Sequence, residues 1–183
     1  MHAGNQMWRN FCVSDTFEPG SPSKVLTVSA ALEENLVTPN THFFCDGYQT
    51  IAGYNVKCTA FRKGGHGDMA LDETLMVSCN DAMMQMAAME KKETFKKYQD
   101  LFNLGSKTGI DLPGEADAST LVYQVDNIGP MDLATNSFGQ NYNCTMVQMA
   151  AAFASTINGG YYYEPHIVKQ ILNESGSVVK KND

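Results

Sequence analysis

A serine hydroxyl is a poor nucleophile until a neighbouring group takes its proton. The segment Ser21-Pro22-Ser23-Lys24 supplies such a neighbour. Three residues along a helix return to the same face, which brings the Lys24 amine toward the Ser21 hydroxyl. Burial beside polar partners lowers a lysine's pKa, and the neutral amine is then a base. A serine at a helix N-terminus also lies beside free backbone N–H groups, which favour negative charge developing on a substrate oxygen. The chemistry these residues can do is acyl transfer through Ser21. Ser-x-x-Lys alone occurs by chance in many proteins, and an N-cap serine with a surface lysine satisfies it as well.

Ser78-Cys79-Asn80 is a second constellation, at a break between two helical stretches, where a hydroxyl and an amide can point into a cleft. Helix capping accounts for the tripeptide taken alone. Lys107-Thr108-Gly109 offers another lysine and hydroxyl, but its neighbours deny it a strand. Gly105 precedes it and Ile110-Asp111-Leu112-Pro113-Gly114-Glu115 follows. Proline and glycine this close make a poor central strand, so a structural loop is expected.

The elements that must position these groups are legible in outline. Glu18-Pro19-Gly20-Ser21-Pro22 is a turn into a helix, with Ser21 near the N-cap and Pro22 in the first turn. The helix should run over about 22–35, with Val25, Leu26, Val28, Ser29 and Leu32 as its apolar face. Residues 38–68 read as loop with two short strands, near 41–46 and 53–59. A short helix over 71–76 and a long one over 81–103, closed by Gly105, follow. Residues 109–114 read as an ordered loop and 130–137 as a short helix. Thr145 caps a helix over 145–158 that Gly159-Gly160 stops, with Met146, Met149, Ala150 and Phe153 on one face. A strand is expected over 161–172, a turn over 173–177, and a partner strand from Val178-Val179.

The chain has 183 residues, 43% hydrophobic and 18% charged, a globular mixture sized for one domain. A net charge of −7 argues against nucleic acid or an anionic membrane as the main partner. Lys91, Lys92, Lys96 and Lys97, at helical spacing, read as a solvated face. No stretch approaches the ~20 apolar residues that span a bilayer. Met1 to Asn10 lacks the pattern of a signal peptide, so no address is expected in this segment. Five cysteines are present, an odd count without CxxC spacing. His42, Cys45, Cys58 and His66 are conceivable ligands, but their loose spacing argues against a metal. Cys45 and Cys58 either form a disulfide in an oxidising compartment or remain two buried thiols.

Taken together and in this order, the motifs resemble the transpeptidase domain of penicillin-binding proteins. The resemblance runs from Glu18-Pro19-Gly20-Ser21 through Gly65-His66-Gly67 and Ser78-Cys79-Asn80 to Ser137-Phe138-Gly139-Gln140, Asn158-Gly159-Gly160 and Pro165-His166. It covers nearly the whole chain and is closest to the monofunctional class B enzymes. It implies an α/β fold of the α+β kind, a helical cluster on an antiparallel sheet, of which residues 1–183 hold the helices and only part of the sheet. It implies Ser21 as nucleophile, Lys24 as base, Ser78 as proton relay, and Asn80 as the group holding Lys24 and the substrate amide. His66 is not the base, because the family uses lysine. Thr108 to Glu115 resembles a structural loop of the family.

The implied partners are peptidoglycan stem peptides and β-lactams, with cell-division or elongation machinery, and no metal or organic cofactor is implied. The implied place is outside the cytoplasm, tethered by an N-terminal anchor not in this chain. The family's Lys-Thr-Gly or Lys-Ser-Gly strand comes after this point, and the chain ends at Asp183 without it. Little penicillin labelling of these 183 residues alone is therefore expected. Alternatives with the same first two motifs are a β-lactam-hydrolysing or β-lactam-sensing relative, or a catalytically silent structural segment. Two departures stand out. Ser23 replaces a bulky apolar residue, which should loosen packing around Lys24, and Asn141 stands where glycine is usual, a mild change because Asn tolerates left-handed backbone.

Overall fold

The structure, a computed structural model, describes residues 9–182, so most of the Met1 to Asn10 reading lies outside it. Six helices are described: α1 Phe11–Ser14, α2 Lys24–Glu33, α3 Leu71–Met76, α4 Asn80–Leu101, α5 Pro130–Asn136 and α6 Met146–Ile157. Eight short strands accompany them: β1 Thr16–Phe17, β2 His42–Cys45, β3 Tyr48–Ile51, β4 Tyr54–Lys57, β5 Gly67–Ala70, β6 Cys144–Thr145, β7 Gln170–Leu172 and β8 Val178–Lys181. Among the described residues they form separate two-stranded antiparallel ladders, β1 with β6, β2 with β5, β3 with β4 and β7 with β8.

Helix α2 carries the first motif into the interior. A 3₁₀ turn over Ser21–Ser23 leads directly into it, so Ser21 starts the helical path as its spacing predicts. The helix lies between two apolar clusters. Val28 and Ala31 face Phe43, Met69, Met83 and Phe138. Leu26 faces Leu104, Val122, Tyr142 and Met149. Its buried face therefore includes Lys24, Thr27 and Ala30, whereas Leu32, expected inside, is 38% exposed. Period alone cannot choose between faces when neighbours close on a helix from two sides.

Helix α6 needs a similar correction. Thr145 caps it as expected, accepting from the Gln148 N–H while the Gln148 side chain returns to the Thr145 N–H. The buried residues are Gln148, Met149, Ala152 and Ser155, whereas Met146 and Phe153 are exposed. Gln148 is drawn inward because its amide also donates to the Ser106 carbonyl. The strand expected over 161–172 is limited to Gln170–Leu172. Upstream, the Ile167 and Val168 N–H groups donate to the Asp111 carboxylate, which takes the place of a ladder partner. Lys107-Thr108-Gly109 is loop, as its neighbours require. Thr108 is buried, and its N–H and hydroxyl both donate to Glu115 Oε1.

Helix α4 spans 22 residues but breaks at Lys91, where φ is 63° and ψ 165°. Lys91 and Lys97 face solvent, and Lys97 pairs with Glu34. Glu90, just before the break, is 2% exposed, and neither of its carboxylate oxygens has a hydrogen-bond partner among the described residues. Burial, helped by the charge of Glu34, pushes its carboxyl from 4.5 up to about 8. The folded state therefore holds a proton there that the unfolded chain releases. Stability contributed by this group is complete below about pH 4.5 and is lost as pH rises through about 8. Glu90→Gln is expected to leave stability nearly unchanged at pH 4.5 and to raise it by about 2–4 kcal/mol above pH 8. Urea unfolding at the two pH values checks this, and equal effects at both would refute it.

Candidate active site

The turn before Ser21 is set by two glycines. Gly20 has φ 62° and ψ −142°, a conformation confined essentially to glycine. Its N–H donates to the Gly139 carbonyl at 2.8 Å. A Cβ on Gly139 would lie 2.0 Å from the Gly20 carbonyl oxygen, so only glycine admits this approach. The Ser137-Phe138-Gly139 segment thus buttresses the start of the Ser21 turn, and Thr27 Oγ1 ties α2 to it by donating to the Ser137 carbonyl. Asn141 adopts φ 65°, the left-handed backbone its residue type tolerates. Its N–H donates to Glu18 and its amide to Asp132. Ser23 is buried and its hydroxyl shares a 2.6 Å hydrogen bond with Tyr142, and it borders a cavity also lined by Leu26, Thr27 and Glu90.

Ser78 sits between α3 and α4 with φ 53°, an uncommon conformation for serine. Backbone bonds from Ser78 N–H to Leu75 O and from Cys79 N–H to Thr74 O hold it there. The result aims both its hydroxyl and its carbonyl at one amine. Lys24 Nζ donates to Ser78 Oγ at 2.7 Å, to Ser78 O at 2.7 Å and to Asn80 Oδ1 at 2.6 Å. Ser78 Oγ in turn donates to Ser21 Oγ at 2.9 Å. All four residues expected at the site therefore converge. Ser78, however, stands between the amine and the Ser21 hydroxyl, so the Lys24 amine reaches Ser21 through a hydroxyl.

Lys24 is 1% exposed, whereas Ser21 is open to solvent. Burial lowers the lysine's pKa from its ordinary 10.5, and the nearby thiols of Cys58 and Cys79 oppose that shift. The group at the end of the hydrogen-bonded run is thus a more easily deprotonated ammonium, and the group at its mouth is a hydroxyl on the surface. A proton can pass inward from Ser21 to Ser78 as Ser78 passes its own to a neutral Lys24. This is the arrangement acyl transfer needs.

The family described as the penicillin-binding protein transpeptidase domain matches residues 2–183. The chain belongs to this family. Stage V sporulation protein D of Bacillus subtilis is 37% identical over 166 residues, covering 90% of this chain and 25% of that protein. Peptidoglycan D,D-transpeptidase FtsI of Escherichia coli is 29% identical over 161 residues, 88% of this chain and 26% of that protein. The transpeptidase-domain chain thus spans about a quarter of the length of these relatives. Among solved structures, penicillin-binding protein 3 of Mycobacterium tuberculosis, complexed with aztreonam, matches with a TM-score of 0.85 at 27% identity, over 94% of this chain and 38% of that one. A peptidoglycan synthetase from Bifidobacterium adolescentis matches with a TM-score of 0.87 at 27% identity, over 99% of this chain and 32% of that one. The α+β fold of this transpeptidase domain, with its antiparallel strands in short ladders, agrees with the expected architecture.

Two features escape a reading of the sequence. One is the Ser78 carbonyl as an acceptor for Lys24, which no side-chain pattern signals. The other is Cys79, hidden in the middle of Ser78-Cys79-Asn80. It turns away from the hydroxyl–amide pair and lies buried beside Cys45, Cys58 and His66. His42, conceived as their companion, instead faces solvent and pairs with Asp68. All five cysteines are free thiols, so the alternative left open for Cys45 and Cys58 resolves to buried thiols.

Proposed function

We propose that this chain supplies the nucleophile half of a peptidoglycan D,D-transpeptidase in the full-length protein. The observation that carries the reading is the unbroken run Ser21–Ser78–Lys24–Asn80. Ser21 Oγ attacks the carbonyl between the two terminal D-alanines of a stem peptide. Its proton moves through Ser78 to Lys24 as the Oγ–C bond forms. The peptide C–N bond then breaks, and D-alanine departs carrying a proton returned along the same path. The acyl group stays on Ser21 as an ester. The amine of a neighbouring stem peptide attacks that ester, an amide crosslink forms, and the Ser21 hydroxyl regains its proton. A β-lactam opens on Ser21 by the same attack, but its amine stays tethered.

The names of the relatives and the aztreonam-bound neighbour support this reading. The substrates proposed are therefore peptidoglycan stem peptides and β-lactams, with division or elongation machinery as a further partner. The place proposed is the outer face of the cell membrane, reached through an anchor elsewhere in the full-length protein. No helix among the described residues is long and apolar enough to cross a membrane.

The test is labelling of the full-length protein with a fluorescent penicillin, followed by peptide mapping. The expected adduct is on Ser21 and persists for many minutes. An adduct on another residue would overturn the site, and rapid release of hydrolysed drug would favour a β-lactam-hydrolysing enzyme instead.

A further inference from the structure

A second set of buried polar groups meets beside α2, and acyl transfer leaves it unused. Glu90, Gln99 and Asn136 line a cavity that Ser23 and Tyr142 also border. We propose that this cavity binds one alkali cation, of the sodium or potassium kind, held by the side-chain oxygens of Glu90, Gln99 and Asn136. The ion would tie α4 to the end of α5 beside the start of α2. The site shares no residue with the run of Ser21, Ser78, Lys24 and Asn80, and its test does not depend on the acyl-transfer reading.

The cavity holds an excess of acceptors. Glu90 and Asn136 are 2% exposed and Gln99 is 4% exposed. Both Glu90 carboxylate oxygens, Gln99 Oε1 and Nε2, and Asn136 Oδ1 have no hydrogen-bond partner among the described residues. Buried polar atoms are nearly always paired, so these call for a guest from outside the chain. All but Gln99 Nε2 are oxygens, which accept and do not donate while Glu90 is ionised. Asn136 Nδ2 donates to the Gln140 and Asn141 carbonyls, which fixes the amide with its oxygen as the free end. The neighbouring hydroxyls have no hydrogen to spare. With Tyr142 donating to Ser23 and Ser23 donating to the Met149 sulfur, both hydroxyl hydrogens are used.

Charge and size select the guest. Glu90 is the one acidic side chain lining the cavity, and no lysine or arginine lines it. The charge acting on it from outside, that of Glu34, is negative, and Lys97 is engaged by Glu34. A monovalent cation would balance one carboxylate. A divalent ion would leave net charge buried, and calcium takes about 6–8 oxygens. The space open to the centre of a water-sized group is about 20 Å³, and about 10–15 Å³ is enough for one such group. A bare alkali ion fits there, whereas a quaternary ammonium such as choline does not. The chain beside Glu90 is also held out of its preferred backbone. Lys91 takes φ 63° and ψ 165°, a region left essentially to glycine, and such outliers persist where the surroundings impose them.

The full-length protein should be unfolded by urea in sodium, potassium or choline chloride at equal ionic strength. Burial pushes the phenols of Tyr98 and Tyr142 up, so Glu90 is the cavity group that titrates between pH 4.5 and just above pH 8. Above pH 8, each tenfold rise in sodium or potassium beyond its dissociation constant should make unfolding about tenfold less favourable. Choline should have no such effect. The response should vanish at pH 4.5, where a proton occupies the carboxyl, and in Glu90→Gln. The stability that Glu90→Gln gains above pH 8 should therefore be largest in choline chloride and shrink as sodium or potassium replaces it. Wild-type crystals soaked in thallium(I) above pH 8 should show an anomalous peak in the cavity, which decides the matter should Glu90→Gln fail to fold. Equal unfolding in the three salts, a response that survives in Glu90→Gln, or water alone in the cavity of the soaked crystals would overturn the proposal.

Discussion

Replacing Lys24 with methionine is expected to slow acylation of Ser21 by a β-lactam about 10²–10⁴-fold, the range general-base catalysis supplies, without lowering the unfolding midpoint. The two effects separate because they draw on different properties of one side chain. In the proposed acyl transfer, only an amine can accept the proton that Ser78 would relay from Ser21. For stability, the ammonium is 1% exposed and its hydrogen-bond partners are neutral, so only the nearby Cys58 and Cys79 sulfurs offset part of its desolvation. Methionine fills a similar volume without that cost. The acceptors it abandons belong to Ser78 and Asn80, which are only half-buried beside an open cleft where water can replace the amine. Their loss therefore stays below the roughly 1–3 kcal/mol charged for a fully buried orphan. Acylation by stopped flow and thermal unfolding of the same preparation check the pair. A midpoint that falls in step with acylation would make Lys24 a structural residue.

Gly139→Ala is expected to be the most disruptive small substitution at the site, although it touches none of the reacting groups. The new Cβ would meet the Gly20 carbonyl oxygen at 2.0 Å and its backbone C and N at 2.6 Å, and the residue would also be held at φ +84°. Those atoms are backbone, so no rotamer change relieves the overlap, and the turn before Ser21 must move. A loss of about 3–5 kcal/mol follows from overpacking plus strain. A shift of about 1 Å at Ser21, the proposed nucleophile, also costs on the order of 10²-fold in rate. Gly160→Ala is the control. Gly160 shares a positive φ, +91°, but a Cβ added there would meet nothing within 4 Å. Only the conformational cost of about 1–2 kcal/mol remains there. Urea unfolding and β-lactam labelling of both variants test the contrast, and similar losses in the two would show that the close approach to Gly20 carries no weight.

Much of this site is legible in the sequence because its parts are short and local. Ser21 and Lys24 lie one helical turn apart, and Pro22 and the apolar residues after it announce the helix that presents them. Lys107-Thr108-Gly109 is recognisable as loop, since Pro113 and the surrounding glycines are local signals too. The errors lie where two neighbours compete for one element. Leu32 and Phe153 face outward because α2 and α6 are buried along faces that include Lys24 and Gln148, each drawn inward by a polar partner distant in sequence. The break at Lys91 carries no glycine or proline to announce it.

The amino-acid sequence by itself determined the Ser21–Lys24 pair proposed as nucleophile and base, the turn residues and the order of the helices, because each depends on residues within a turn or two of one another. Tertiary structure decided that Ser78 stands between Lys24 and Ser21, that Gly139 closes on Gly20, and that Cys79 rather than His42 joins Cys45, Cys58 and His66. Those choices depend on which distant segments pack together and on backbone conformations such as φ 53° at Ser78, which side-chain spacing does not encode.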